Sequence, residues 1–330
     1  MHMSRSVLTF LVLVGGLVAA MGHSLAAEFS KDKPIRWVVP YSPGGGVDVL
    51  TRALAREVTK ELQVTVIVQN IPGGGARIGT SYVYRAKPDG HTIGTFVNGS
   101  LIIPQILFDD APYDVRKLVW LASPFAAPFG VWVKKSGVPT VADLKKLGRP
   151  VWIGESGLTA SPVPATILLM RAMGINYEYV TGYGGQAVMN PAVIRGELDL
   201  FTRTYPSQRP WKEDTRSLVT MGPKRHPLAP DVPTVEEVAG AKVAQQILPL
   251  SSGAYLIAAS PGTPAKTADL LSSAILKALK TPRFLKWAKK AGFVNDLQAD
   301  GRAPTKAIVS KYIATLEQNA DNLRAVMKKK

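Results

Sequence analysis

Two glycine-rich stretches hold the densest chemistry in the chain. The first is Pro40, Tyr41, Ser42, Pro43, Gly44, Gly45, Gly46, Val47 and Asp48; the second is Pro72, Gly73, Gly74, Gly75 and Ala76. Neither contains a nucleophile beside a base. What both supply is backbone, because glycine lets a ligand approach the chain closely. A helix that starts just after such a turn leaves its first N–H groups without intrahelical acceptors, and its dipole adds about half a positive charge there. That combination seats an anion. A single turn of this kind reads equally well as a plain strand-to-helix connection, but two in succession can face one cleft. Further along, Asn98 and Ser100 place polar groups at a strand end, and Glu155, Ser156, Gly157, Thr159 and Ser161 form a hydroxyl-rich loop. Tyr183, Gly184 and Gly185 form a fourth turn, and Thr202, Arg203 and Thr204 close a later strand.

Catalytic readings fare worse. His91 and His226 are far apart and lack flanking carboxylates or metal-ligand spacing. A secreted serine hydrolase would use Ser156 or Ser161, yet no G-x-S-x-G elbow is present and neither serine has an evident base. The segment from Pro72 to Gly79 misses the G-x-G-x-x-G spacing of a dinucleotide turn. No cofactor or metal is expected, and the chain is read as a binder rather than an enzyme.

The elements that must position these loops alternate. An apolar run at 35–39 reads as a strand, and Val47, Leu50, Leu54 and Val58 recur at helical spacing through Leu62. Residues 64–69 form the next strand, 78–85 a helix and 91–97 a third strand, entered through the turn Lys87, Pro88, Asp89, Gly90. Strands at 129–134, 151–153, 177–180, 198–201 and 217–221 follow, with helices at 141–147 and from Pro162 to Met173. A strand at 252–260 returns to the first domain. From Pro264 the chain reads as helical, over 265–279, 282–291 and 304–327. The alternation predicts an α/β fold with mostly parallel sheets, whose ligands lie beyond the carboxyl ends of the strands.

The chain has 330 residues, 46% of them hydrophobic, enough for two modest domains. It has no cysteine, which excludes disulfides, thiolate metal sites and a lipoprotein anchor. Arg5, an apolar run from Val7 to Gly22 and small residues at Ser24 and Ala26 predict a signal peptide over residues 1–26, cleaved after Ala26 or Ala27. The expected mature protein is exported to the periplasm and soluble. The leader removes only Arg5, so the mature chain keeps 39 lysines and arginines against 24 acids, a net charge of +15. That basic field is diffuse, which suits anionic ligands rather than nucleic acid. A basic surface protein that binds polyanions is the other alternative.

One family shares these stretches in this order: Tyr41 to Asp48, Gln69 to Gly79, Ala86 to Thr92, Leu228 to Glu237 and Ala259 to Pro264. The chain resembles the Bug family, the TctC-like periplasmic solute-binding proteins of tripartite tricarboxylate transporters. The resemblance implies a two-domain Venus flytrap with the site in the interdomain cleft. Domain I would comprise 27–126 and 252–330, and domain II 127–251. Carried over, one ligand carboxylate would be held by Ser42, Pro43, Gly44 and Gly45, and by Gly73, Gly74, Gly75 and Ala76, with Tyr41 and Asn98 beside them. Asp48 matches an aspartate that caps the first helix. Departures fall in domain II. Glu155 replaces the first serine of a Ser-Ser-Gly segment, leaving Ser156, Gly157, Thr159 and Ser161. The segment Tyr183, Gly184, Gly185 lacks the family's lysine. Arg203 stands where binders of amino acids carry aspartate, and its planar donor fork suits a second carboxylate. The competing reading turns Arg203 outward or pairs it with Glu155. The expected ligand is a dicarboxylate, aliphatic or, with Phe201, Tyr205 and Tyr183 nearby, aromatic like terephthalate. The implied partners are the transporter's membrane subunits or a sensor protein, and the expected state is a monomer.

Overall fold

The computed structural model describes residues 30, 32–183 and 186–327. The expected signal peptide and Gly184 lie outside the described residues.

The first half opens with β1 (Ile35–Val39), α1 (Gly46–Leu62), β2 (Val66–Asn70), α2 (Arg77–Tyr84), β3 (Thr92–Val97) and α3 (Asn98–Phe108). The helical spacing of α1 is realised in its packing: Val47, Leu50, Leu54 and Val58 are all buried. Leu50, Leu54 and Val58 meet Ile35 and Trp37 of β1 in one apolar cluster. Each such side chain contributes about 1.5–3 kcal/mol by leaving water. The long β4 (Val119–Lys134) follows, then β5 (Val151–Gly154), α4 (Val163–Ala172), β6 (Tyr177–Val180), α5 (Gln186–Arg195), β7 (Leu200–Thr204), α6 (Tyr205–Gln208) and β8 (Thr215–Met221). The chain returns through α7 (Val235–Ala239), α8 (Ala241–Ile247) and β9 (Ser252–Ala259). It ends with α9 (Ala265–Ala278), α10 (Pro282–Ala291), β10 (Leu297–Asp300), α11 (Arg302–Gln318) and α12 (Ala320–Met327).

The strands run in the order β2-β1-β3-β9-β4-β7-β5-β6, with β8 and β10 also pairing β4. Parallel pairs lie outermost on each side: β2 and β3 flank β1, while β6 and β7 flank β5. In the middle β4 runs antiparallel to β9 over Val119–Pro128, and to β7 and β8 from Phe129 onward. One strand therefore serves both halves. Its sequence hides it, since Pro124 and Pro128 read as breakers. Proline cannot donate to a ladder and is tolerated in a strand at bulges, and the register indeed shifts between Ala122 and Phe125.

Two other elements differ from expectation. Residues 98–108 form α3 despite Gly99 and Pro104, so the polar strand end at Asn98 is also a helix start. The helical tail is interrupted by β10, four residues pairing β4.

Candidate functional site

Five strand ends converge on one cavity of about 1070 Å³. The loops after β1, β2 and β3 supply one wall; those after β5 and β7 supply the other. Ligands of open α/β sheets gather at such carboxyl edges.

The first wall is mostly backbone. Gly45 caps α1 in extended conformation, and Gly44 and Gly45 line the cavity, so the amino end of a seventeen-residue helix, whose first N–H groups lack intrahelical acceptors, lies at its edge. Asp48, in that first turn, is buried. Its carboxylate accepts from the Gly44 N–H (2.9 Å), Arg52 Nε (3.0 Å) and Asn70 Nδ2 (2.9 Å). Burial opposes the charged form, but donation from Arg52, the Gly44 N–H and Asn70 outweighs it and holds the carboxyl below its ordinary value. Asp48 thus reaches back to the Gly44 N–H, one residue before the helix cap, and occupies that donor. Asn70 also donates to the Tyr41 carbonyl (3.0 Å), tying the end of β2 to the first loop.

In the second loop Gly73, Gly74, Gly75 and Ala76 all have positive φ. Three of these are glycine, which reaches that region at little cost; Ala76, at φ +78°, is held there against its preference. A side chain at Gly73 would fall 2.7 Å from Ile78 Cδ1. Gly79, one turn into α2, lets both loops close on the helix: a Cβ there would lie 2.6 Å from the Ile71 carbonyl and 2.8 Å from Pro40 Cβ.

Tyr41 locks the first loop to α3. Its hydroxyl receives the Val97 N–H (2.8 Å) and shares a hydrogen bond with Ser100 Oγ (2.7 Å); burial pushes its pKa up to about 12. Tyr255 of β9 brings a second phenol to this wall. Its hydroxyl sits where a Cβ on Gly46 would be 2.8 Å away, beside the α1 terminus. Burial raises its pKa strongly, so it stays a neutral donor.

The second wall is mostly side chain. The amino end of α4 meets the cavity with Pro162 at its cap and Pro164 just inside, two residues without N–H groups. Polar side chains line the cavity instead, from Thr159, Ser161, Thr204 and Arg203. Arg203 makes a bidentate pair with Glu155, Nη1 to Oε2 at 2.6 Å and Nη2 to Oε1 at 2.5 Å. Glu155 is almost fully buried while Arg203 keeps 17% of its side-chain surface exposed. Ser156 is turned onto the same carboxylate through its N–H (2.7 Å) and Oγ (2.9 Å). Of the two readings of Arg203, pairing with Glu155 is the observed one, yet the residue still lines the cavity. The walls touch where a Cβ on Gly99 would lie 2.4 Å from Ser161 Cα.

Of the residues singled out from sequence, Tyr41, Ser42, Pro43, Gly44, Gly45, Gly73, Gly75, Ala76, Ser156, Thr159, Ser161 and Arg203 line the cavity. Three described ones do not. Asn98 is buried, donating to the Ser252 carbonyl (3.0 Å) and accepting the Gly99 N–H (2.9 Å), so it joins α3 to β9. Gly74 lies in the loop but off the lining, and Tyr183 packs on the cluster around Trp132 and Met189. The aromatic expectation needs correction as well: Phe201 is wholly buried, and Tyr205 is buried with its hydroxyl on Thr220 Oγ1 (2.6 Å). Besides Tyr41, the cavity's aromatic surface comes from Phe125, Phe129 and Tyr255. Those residues were missed because β4 was read only from Phe129 and β9 only as a returning strand. Neither histidine lines the cavity.

Known proteins share this architecture. MatC from Rhodopseudomonas palustris with bound malate superposes at a TM-score of 0.71, with 22% identity over 88% of this chain and 99% of that one. An R. palustris protein solved with adipate gives 0.71 at 24% identity, covering 88% and 97%. The periplasmic binding protein BugD gives 0.68 at 22% identity, covering 91% and 98%. In sequence, the UPF0065 protein from the tcbD-tcbE intergenic region of Pseudomonas sp. strain P51 is 28% identical over 88% of this chain and 87% of its own. The fold is that of the periplasmic binding proteins, two α/β units about a cleft. Residues 50–311 match the tripartite tricarboxylate transporter family receptor, TctC, and the chain belongs to that family of solute-binding proteins.

Proposed function

We propose that the protein is an exported, periplasmic receptor that captures a small dicarboxylate for a membrane transporter or a sensor protein. The observation that carries the reading is the pair of opposed polar walls in one cavity: Gly44 and Gly45 at the α1 amino end, the second glycine loop and Tyr255 on one side, Arg203 with serine and threonine hydroxyls on the other. One carboxylate would sit on the α1 terminus, where both dipole and donors favour it. The other would sit at the Arg203 guanidinium, whose Nη groups already serve Glu155, the Thr202 carbonyl (2.7 Å) and Met189 Sδ (3.8 Å), and would take its Nε, with Thr159 and Ser161 beside it. Phe125, Phe129 and Tyr255 give an apolar middle that accommodates an aliphatic chain or an aromatic ring such as that of terephthalate. The malate and adipate in the two R. palustris relatives support a diacid.

In this reading residues 27–126 with 252–330, and 127–251, act as two domains. They would close about the strands shared between them, near Pro128 and Ser252, burying a ligand already matched by donors. Thermal unfolding of the mature chain against mono-, di- and tricarboxylates, amino acids and aromatic acids tests it. A ligand at about 100 times its Kd adds about 2.7 kcal/mol, a shift of a few degrees. A diacid should shift the midpoint most. Glutamate or aspartate shifting it far more than plain diacids would sink the dicarboxylate reading.

A further inference from the structure

A second concavity, of about 1010 Å³, opens on the far side of α2 from the ligand cavity. Strands of a parallel sheet are ordinarily covered on both faces. Here α1 covers one face of β1 and β2, burying Ile35, Trp37 and Leu50. The opposite face is left open at Arg36 and Ile67, because α2 has only eight residues and packs farther along, over Val38 and Phe96 through Val83. Ile78 and Tyr82, four residues apart on one stripe of α2, turn toward that open face. Ile67, Ile78 and Tyr82 are 52%, 57% and 40% exposed, three large apolar side chains on a single groove. Scattered exposed apolar residues need no explanation, whereas a grouped set with a polar rim marks an interaction surface.

The rim is basic. Lys33 pairs with Asp89 and Arg77 with Asp110, but Arg36, Arg85 and Lys87 meet no carboxylate among the described residues. Arg36 lies over the Tyr82 ring, 5.6 Å from its centroid, and donates to the Tyr82 hydroxyl. Three unmatched cations beside these apolar side chains complement an apolar anchor flanked by carboxylates. The groove is a concavity lined by Ile67, Ile71, Ile78 and Tyr82 together with Arg36, Arg85 and Lys87. It therefore fits a protruding protein segment rather than a flat lipid surface.

We propose that this groove is the docking site for an acidic segment of a partner protein that carries leucine or phenylalanine anchors. It lies on the helix whose amino end forms the glycine loop: Arg77 Nε donates to the Gly74 carbonyl (2.8 Å), and Ile78 packs against Gly73. A partner seated there touches the ligand loop from behind without entering the cavity. The inference does not depend on the dicarboxylate reading.

The test uses the mature chain, free of added carboxylates, and a fluorescein-labelled peptide alternating glutamates with leucines and one phenylalanine, read by anisotropy. Binding is expected, and raising NaCl from about 0.05 M to about 0.5 M should weaken it severalfold, since exposed charges are screened. Ile78→Ser, and independently Ile67→Ser in the edge strand, should each weaken it about tenfold, the mark of an anchor position. Arg36→Glu with Arg85→Glu should abolish it. Controls with serine for leucine and phenylalanine, or lysine for glutamate, should not bind. The proposal is overturned if the acidic peptide fails to bind, if the lysine peptide binds as well, or if the groove variants leave binding intact. Phosphatidylglycerol vesicles binding through the same residues would make the occupant a membrane. A peptide of residues 1–27 displacing the acidic probe would make it the chain's own leader; either result also overturns it.

Discussion

The two walls of the ligand cavity solve the same problem with different materials. On one, the α1 amino end meets the cavity through Gly44 and Gly45, and glycines at positive φ shape the loop that closes beside them. On the other, Pro162 and Pro164 strip the α4 terminus of donors, and a buried Glu155–Arg203 pair takes over. A backbone seat binds any carboxylate, because every residue carries the same N–H. A side-chain pair can be exchanged by substitution and so discriminates among what the rest of the ligand presents. In the proposed reading the first wall would supply affinity for any carboxylate, and the second would set which carboxylate is preferred.

The pair is also where the comparison breaks most visibly. Glu155 is nearly inaccessible to water, and its two oxygens accept from Arg203 and from Ser156. Arg203→Ala leaves that charge buried and unpaired, at a cost of about 3–5 kcal/mol. The melting midpoint should fall by several degrees. Replacing both partners, Arg203→Met with Glu155→Gln, removes the charge and should recover most of the loss. The double variant should then bind monocarboxylates as before and diacids poorly. Loss of monocarboxylate binding in the double variant would show that the two walls do not act separately.

Asp48 tests the first wall by acid. Its folded pKa lies below the unfolded value of about 3.9, so its stabilisation is complete above that value and is lost as pH falls through the folded pKa. Asp48→Asn gives up charge-assisted bonds from the Gly44 N–H and Arg52, about 1.5–3 kcal/mol at neutral pH. The difference in denaturant stability between wild type and variant should hold from pH 7 to about 5 and shrink below about 4. A gap that stayed constant to pH 3 would mean that the carboxylate's charge plays no part.

How much of this was legible in the sequence follows the same division. Glycine at Gly44, Gly73 and Gly75 marks positive φ directly, and the apolar spacing of Val47, Leu50, Leu54 and Val58 gave α1 its place. Local rules therefore reached the backbone wall. The Glu155–Arg203 pair joins residues 48 apart in sequence, through strands whose adjacency is a tertiary fact. It stood only as one of two readings. Phe125 was out of reach because β4 carries two prolines that normally end strands, and a bulge between Ala122 and Phe125 accommodates Pro124; Tyr255 lay in a strand that was expected, but its place beside the α1 terminus is a tertiary fact. Asn98 was misplaced for the opposite reason: a polar residue at a strand end looked like a ligand contact, and its amide proved to be structural glue between α3 and β9.

Gly79 gauges how tightly the backbone wall is built. An alanine there gains about 1 kcal/mol of helix propensity in α2. Its methyl would press on the Ile71 carbonyl and Pro40, backbone and a fixed ring that cannot rotate aside, and overpacking of this kind costs about 1–3 kcal/mol. The strain should win by a small margin, and because α2 moves away from both loops, carboxylate affinity should fall more than stability. An alanine variant as stable as wild type with full affinity would show that the loops tolerate the displacement.

The smallest effect is expected at Ala76, and it separates stability from preorganisation. Holding a non-glycine residue at φ +78° costs about 1–2 kcal/mol. Ala76→Gly relieves that strain, but it removes a buried methyl worth about 0.8 kcal/mol and adds about 0.5–1 kcal/mol of unfolded-state entropy. The terms nearly cancel, so the melting midpoint should stay within about one or two degrees of wild type. Affinity should not be so indifferent. With four successive glycines the loop samples more conformations before binding, and ordering it again on the ligand weakens affinity about two- to threefold. Calorimetry with the best diacid from the panel reads this as a more unfavourable binding entropy at similar enthalpy. A loss carried by enthalpy instead would mean that the strained alanine fixes a contact rather than a shape.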